Sequence, residues 1–300
     1  MSPLEAATLA RTGAIWARRP DIKTLEITGP DRVRYLNGQV SNDITMLGDG
    51  QGCLAVKTSA KGRTEALMRV RATPDALLLD LRAVVADATL AALARYIIMD
   101  DCEIRDVSAA RDVLTMVGPT AGYAGAPAIA PHAFAEVDGV VVIRDLTLGI
   151  EGYELHVRPG HVPELGAPEA PFEALEILRI ENGIPVDGQD LGPDVLPLEA
   201  HLEHAISTTK GCYSGQEVIA RAMNLGGVQW SLVSLAIEGG TPAVGTELFA
   251  DAEKSQGSIT SLTYSPRRAG LVALAFVRRA QQAPGTRLRA GDSGAIATVL

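Results

Sequence analysis

The chain has 300 residues, 47% of them hydrophobic and three of them cysteine, and its formal net charge is −9. Its length exceeds the usual size of a single core, so two or three packed units are expected, and its negative field disfavours general attraction to nucleic acid or to an anionic membrane surface. Cysteines at 53, 102 and 212 form neither an even framework nor a CxxC pair, which speaks against a disulfide scaffold and fits a reducing cytoplasm. The N-terminal stretch MSPLEAATLARTGAIWARRP has no uninterrupted apolar run and no later segment approaches membrane length, so a soluble, cytoplasmic protein with no membrane partner is expected.

Taken in chain order, KTLEIT (23–28) alternates polar and apolar residues as a half-buried strand does. GPDRVRYLNGQVSNDI follows with a helix start at Asp31, and Val33, Leu36 and Val40 can share one face. LAVKTSAKGRTEALMRVR reads as two strands around a Lys61-Gly62 turn, and TPDALLLDL as a third after the turn at Pro74. A helix is predicted over Val84 to Met99, where strong helix formers carry apolar residues at helical spacing. Residues 118–134, rich in Gly, Ala and Pro, read as a connection. GVVVIRDL and GYELHVRP are two strands of a second meander, and PFEALEILRIENGIP is a second helix, with Pro171 in its first turn, Gly183 past its end and Pro185 blocking continuation. Strands then helix therefore occur twice, an α+β layout, and short strand-like runs after about Trp230 predict a small β-barrel or sandwich. The predicted organisation is 1–228, holding two α+β sub-units, and 229–300, the barrel.

Four groups of residues can carry chemistry. In KGCYSGQEVIAR (210–221), Gly211 and Gly215 bracket a turn that places Cys212 in a loop beside Lys210. A thiol beside a cation ionises more readily and is then a nucleophile or metal ligand, whereas most isolated cysteines are small buried apolar groups. His201, His204 and Cys212 would make a zinc set if residues 198–206 were helical, but a solvated helix face explains the same pattern, and no metal is assigned. Lys57, Lys61, Arg63, Arg69 and Arg71 would line an anion-binding groove, or a solvated sheet face. Glu151, Glu154, Arg179 and Glu181 bring carboxylates, which can take two hydrogen bonds from the amino-amide edge of a pterin or purine, together with arginine, which can stack on its ring.

KGCYSGQEVIAR resembles the signature of the folate-binding YgfZ family, whose wider superfamily includes the T-protein aminomethyltransferase of the glycine cleavage system. GPDRVRYLNGQVSNDI, AKGR, LGIEGYEL, LRIENGIPVDGQD, LPLEAHLEHAI and GSITSLTYSP…LVALAFVR follow in the order that superfamily shows, over nearly the whole chain. The resemblance implies a three-part, ring-like molecule whose first 228 residues form an aminomethyltransferase-like folate-binding domain. It implies tetrahydrofolate as cofactor, with Arg179, Glu151, Glu154, Tyr153, Asn42 and Asp43 contributing to its site. It also implies Cys212 as a functional thiol, its loop positioned by Lys210, Tyr213, Gln216 and Glu217, and a role in iron–sulfur enzyme maturation or repair or in tRNA modification, with client iron–sulfur proteins as partners.

Three departures accompany the match. Counting from Lys61-Gly62-Arg63 puts Leu67 where the T-protein has a folate-contacting Asp, and an aliphatic side chain can neither hydrogen-bond folate nor handle a proton. Ile150 stands where a pterin-facing Glu is common. The cationic run after the cysteine motif is thinned to MNLGGVQW, and direct nucleic-acid binding is not expected. A folate-binding accessory factor is therefore expected rather than an aminomethyltransferase, the alternative being a folate-dependent one-carbon transferase or demethylase.

Overall fold

The computed structural model describes residues 1–224, 227–250 and 254–300, so part of the stretch MNLGGVQW lies outside the described residues. The chain folds into two mixed sheet-and-helix units and a closed barrel. The first unit is a five-stranded sheet of β2 (Ile22–Thr28), β3 (Gly52–Thr58), β4 (Thr64–Ala72), β5 (Ala76–Arg82) and β6 (Glu103–Asp106), in the order β3-β4-β5-β2-β6. Its strands pair antiparallel, with Val70 opposite Leu79 and Leu25 opposite Leu79. Helices α2 (Arg32–Asn37) and α3 (Ala83–Arg95) cover the sheet, and Leu25, Ile27, Leu36, Met68, Val70, Leu79 and Leu93 form one core. The predicted helix to Met99 stops at Arg95. Ile98 and Met99 are 81% and 91% exposed, so neither has a surface to cover and the chain gains nothing by continuing the turn.

The second unit repeats the plan with a sheet ordered β1-β7-β10-β9-β8, built from β1 (Ile15–Arg18), β7 (Asp112–Val117), β8 (Phe134–Val137), β9 (Val140–Asp145) and β10 (Gly152–Val157). Two helices pack together against it: α1 (Pro3–Leu9), held at its start by a reciprocal Ser2–Glu5 capping box, and α4 (Glu173–Glu181). Ala6, Ala7 and Ala10 let α1 approach Ala174, Leu175 and Leu178 of α4 closely. Gly183, at φ +75°, ends α4 in the left-handed region as its sequence position requires.

The barrel closes in the order β11-β14-β13-β12-β15-β16, from β11 (Trp230–Glu238), β12 (Glu247–Phe249), β13 (Ser255–Ser265), β14 (Gly270–Arg278), β15 (Arg287–Ala290) and β16 (Ala295–Val299). Alanines 273, 275, 290, 295 and 297 fill its interior alongside Leu235, Leu248, Ile259 and Leu288, and closure removes every free sheet edge. Among the described residues, no helix is long and apolar enough to cross a membrane.

Candidate functional site

Between the two sheets lies a layer of buried charge. Arg69 and Arg71 alternate with apolar residues on β4, so both point from the first sheet toward the second. Arg69 donates to Asp145 of β9 and Glu154 of β10, each at 2.6 Å, and Arg71 grips Asp80 of β5 at 2.6 and 2.9 Å while stacking over Phe134. His156 Nε2 lies 3.0 Å from Glu154. The anion-binding groove expected from Lys57, Lys61, Arg63, Arg69 and Arg71 is therefore not formed. Lys57 is paired with Glu65, Arg63 donates to the Asp194 carbonyl, and the two deep arginines are consumed by carboxylates, as burial of charge demands. Burial pushes the Glu154 carboxyl up, but Arg69 and the His156 hydrogen bond outweigh it and hold Glu154 well below the usual range.

A cavity of about 380 Å³ opens beside this layer, within the size range of small-molecule sites. Leu54, Leu67, Leu81, Phe172 and Leu175 give it apolar walls, and Arg69, Glu154, Arg179, Asp187, His132 and His204 give it polar points. Two buried nitrogens on that lining lack a hydrogen-bond partner: Nε of Arg69 and Nδ1 of His132. His132 comes from the long 118–134 connection, held at φ +65° where the chain crosses β3. A Cβ on Gly52 would lie 2.3 Å from the His132 carbonyl oxygen, so glycine is what admits this approach. Burial, aided by Arg69, pushes the His132 imidazole down to about 4, so it is neutral at pH 7.

The segment VDGQD sends its two aspartates to different fates. Asp190 is enclosed by Arg179 at 3.0 Å, the Val186 N–H at 3.1 Å and the hydroxyls of Thr260 and Ser261 at 2.5 and 2.8 Å. A β-bulge between Ile259 and Ser261 aims both hydroxyls at this one carboxylate. Asp187, 3% exposed, lines the cavity, and among the described residues its carboxylate accepts only from the Leu67 N–H, at 3.1 and 3.3 Å. Burial pushes its carboxyl up to about 7, against that N–H and the more distant Arg82. An acid whose folded pKa is raised destabilises the fold above its unfolded pKa, fully so above the folded one. Asp187→Asn is therefore expected to stabilise the protein by on the order of 2 kcal/mol at pH 8 and by almost nothing near pH 4, read from urea unfolding at both values.

The residues nominated from sequence divide between two places. Arg179 and Glu154 line the cavity, but both are committed. Arg179 is fully buried and spends its donors on Glu176, Asp190, Gln189, Ser261 and the Ile184 carbonyl. Glu151 is exposed and paired with Arg144 at 2.7 Å, outside the cavity lining, because β10 starts only at Gly152. Tyr153 lies on the opposite face of β10 from Glu154 and packs with Leu155 in a separate core. Asn42 and Asp43 lie beside Lys210 instead.

Lys210 corrects the expectation that it activates the thiol. Its Nζ turns inward and donates to the carbonyls of Asn37, Val40 and Asn42 at 2.6–2.8 Å, and lies over the Tyr213 ring. Burial pushes it down to about 8. Lys210 thus pins the loop to the first unit through three convergent carbonyls. Tyr213 is buried with Leu198, Ile206 and Ile219, which leaves Cys212 exposed between two anchored neighbours. Gly215, at φ +82°, sits on the Lys61-Gly62 turn, where a Cβ would be 2.4 Å from the Ser59 carbonyl oxygen. The AKGR and KGCYSGQE motifs therefore meet. Gln216 and Glu217 open α5 (Gln216–Asn224), with Glu217 paired to Arg221 on solvent. Residues 198–206 form two 3-10 turns separated by His201 in the left-handed region, not a helix, and His201 Nε2 lies 2.9 Å from the Leu232 carbonyl oxygen. Among the described residues, the one grouping of three metal-capable side chains is Asp80, Glu154 and His156, whose carboxylates already hold arginines.

No family model matches the chain. Comparison with curated proteins finds a tRNA-modifying protein YgfZ from Cronobacter sakazakii, 30% identical over 254 residues that span 79% of this chain and 75% of that protein. An aminomethyltransferase from Rubrobacter xylanophilus is 30% identical over 270 residues, 83% of this chain and 72% of the relative. Among solved structures, the glycine cleavage system aminomethyltransferase T from Bartonella henselae superimposes with a TM-score of 0.86 at 21% identity, over 99% of this chain and 88% of that one. The fold is that of an aminomethyltransferase, sheet units with a C-terminal barrel. The chain belongs to the family that unites YgfZ with the glycine-cleavage aminomethyltransferases.

Proposed function

We propose that this protein binds reduced folate in the central cavity and acts as a YgfZ-type accessory factor, assisting iron–sulfur enzyme maturation or repair or tRNA modification through the exposed thiol of Cys212. The observation that carries the reading is the amphipathic cavity with one carboxylate, Asp187, short of hydrogen-bond donors. A pterin edge rich in N–H groups suits such a carboxylate, the leucine and phenylalanine walls suit the flat rings, and the unpaired Arg69 Nε and His132 Nδ1 offer further polar contacts. Bound there, tetrahydrofolate would supply a carrier for one-carbon units. The chain's own groups would orient it and exclude water.

Calorimetric titration is expected to show tetrahydrofolate binding at micromolar concentration, and the absence of heat at millimolar ligand would refute the reading. Aminomethyl transfer is expected to be absent, since Leu67 offers only its backbone N–H and that N–H is spent on Asp187. Methylene-tetrahydrofolate formed from an aminomethylated carrier protein would overturn that expectation. It would favour the second reading, a folate-dependent one-carbon transferase, for which the supporting observation is Asp187 itself: a cavity carboxyl titrating near neutrality is fit for general acid–base work.

A further inference from the structure

We propose that Asp187 is the carboxyl that reads the hydrogen-bond-donor edge of the cavity's ligand, and that it gives up its proton when that edge is bound. The inference rests on the reduced-folate reading and adds to it the recognition group and its chemistry.

The argument is one of elimination among the acids that line the cavity. Asp80, on β5, is held by two nitrogens of Arg71 and by the Thr24 hydroxyl at 2.9 Å. Glu154, on β10, is held by Arg69 and His156. Glu176, on α4, accepts from Arg179 at 2.9 Å and lies 3.7 Å from Arg82. Each of these three is held by at least one buried or half-buried cation. Among the described residues Asp187 is the one acid on the lining with no ion-pair partner: a carboxylate can accept about four hydrogen bonds, and this one is offered a single shared N–H.

The turn that carries Asp187 is rigid. Gly188, at φ +82°, leaves no room for a Cβ, which would lie 2.9 Å from Val84, and Asp190 is fastened to both α4 and the barrel. The backbone that carries the carboxyl is therefore held against the cavity on both sides. A buried polar group held short of partners against a cavity is a site preorganised for a ligand that brings the missing donors.

The charges facing Asp187 do not settle its protonation beforehand. Arg82, at the end of β5, is drawn to Asp21 at 2.6 Å. Arg19 is bidentate to the same Asp21, Arg69 to Asp145 and Glu154, and Arg179 to Glu176 and Asp190. Of the histidines on the lining, His132 is neutral at pH 7, and His201 faces the Leu232 carbonyl, with His204 on the turn beyond it. Every fixed cation is already matched, so the state of Asp187 is decided by what enters. Amide and amine N–H donors favour the ionised form. Binding from a state that is protonated near neutrality then releases the proton to solvent, and affinity strengthens as pH rises toward 8.

The test is isothermal calorimetry of the full chain with tetrahydrofolate at pH 6 in buffers of different ionisation enthalpy, for wild type and Asp187→Asn. Wild type should release close to one proton per ligand bound, and the variant close to none. The variant, which keeps the size of the side chain, should bind at least tenfold more weakly than wild type at pH 8 and nearly equally at pH 6. A tetrahydrofolate analogue with methyl in place of the 2-amino group should release markedly less proton from wild type. Binding without proton release, or release that persists in Asp187→Asn, overturns the inference while leaving the folate reading standing. Failure of the wild type to bind at millimolar tetrahydrofolate overturns both.

Discussion

Replacing Arg69 by methionine is expected to cost about 3–5 kcal/mol of stability at pH 7, the range found when one partner of a buried ion pair is removed and the other charge stays behind. Arg69 is 4% exposed and, among the described residues, is the one guanidinium that touches both Asp145 and Glu154, so its loss strands two carboxylates between the sheets. Methionine roughly keeps the aliphatic volume, and the loss is therefore electrostatic rather than a cavity effect. The pH dependence follows from Glu154, whose folded pKa is depressed. Its stabilising contribution is present above the unfolded value near 4.5 and is lost only as pH falls through the lower folded value. In the variant burial is no longer opposed by Arg69, so the penalty should be greatest near pH 7 and shrink as pH approaches 4. Urea unfolding at pH 4.5 and 7.5 measures this, and a penalty unchanged between the two would contradict the charge-layer account. Adding Glu154→Gln and Asp145→Asn to Arg69→Met should recover a large part of the lost stability at pH 7.5.

Much of the fold was legible because its signals are local. The alternation in KTLEIT, the turn at Lys61-Gly62 and the stop of α4 at Gly183 depend on neighbours in sequence, and the structure keeps all three, although α4 starts at Glu173 and leaves Pro171 just ahead of its first turn. Strand β7 was not legible. DVLTMV is buried at five of its six positions between β1 and β10, so it shows a continuous apolar run where a half-covered strand would alternate. The short β1 gives too few residues for any period to show.

The site was legible in residue type but not in partnership. Nothing near Arg69 in sequence announces Asp145, 76 residues away, or Glu154, 85 residues away, and so a basic stripe read as an open groove turns out to be a closed ion-pair layer. The same limit hid Asp187. It and Asp190 are interchangeable in sequence, and only the barrel hydroxyls of Thr260 and Ser261, supplied from 70 residues on, decide which of them is satisfied and which is left for a ligand. Lys210 shows the converse. Its neighbour in sequence is the thiol loop, yet its charge is spent on the carbonyls of residues 37, 40 and 42.

Cys212→Ser is expected to abolish biological activity while leaving the fold and folate affinity unchanged. The loop is fixed by the Lys210 and Tyr213 side chains on either side of the thiol, and Cys212 itself is exposed and outside the cavity lining, so neither stability nor binding draws on its sulfur. The other two cysteines supply the internal controls. Cys53 packs against the first core, and burial pushes its thiol up to about 12, which leaves so little thiolate at pH 8 that alkylation should run roughly a thousandfold slower than for a free thiol in water. Cys102, half-buried against the same core, is also raised by burial and by the neighbouring Asp100. Iodoacetamide at pH 8 should therefore modify Cys212 first and by a wide margin, as peptide mapping of a time course would show. Cys53→Ser and Cys102→Ser should support growth of a strain lacking the protein, and Cys212→Ser should not, with iron–sulfur enzyme activity and tRNA modification assayed side by side to separate the two roles. Rescue by Cys212→Ser equal to wild type in both assays would make the thiol a bystander, and would assign whatever the protein does to the folate cavity alone.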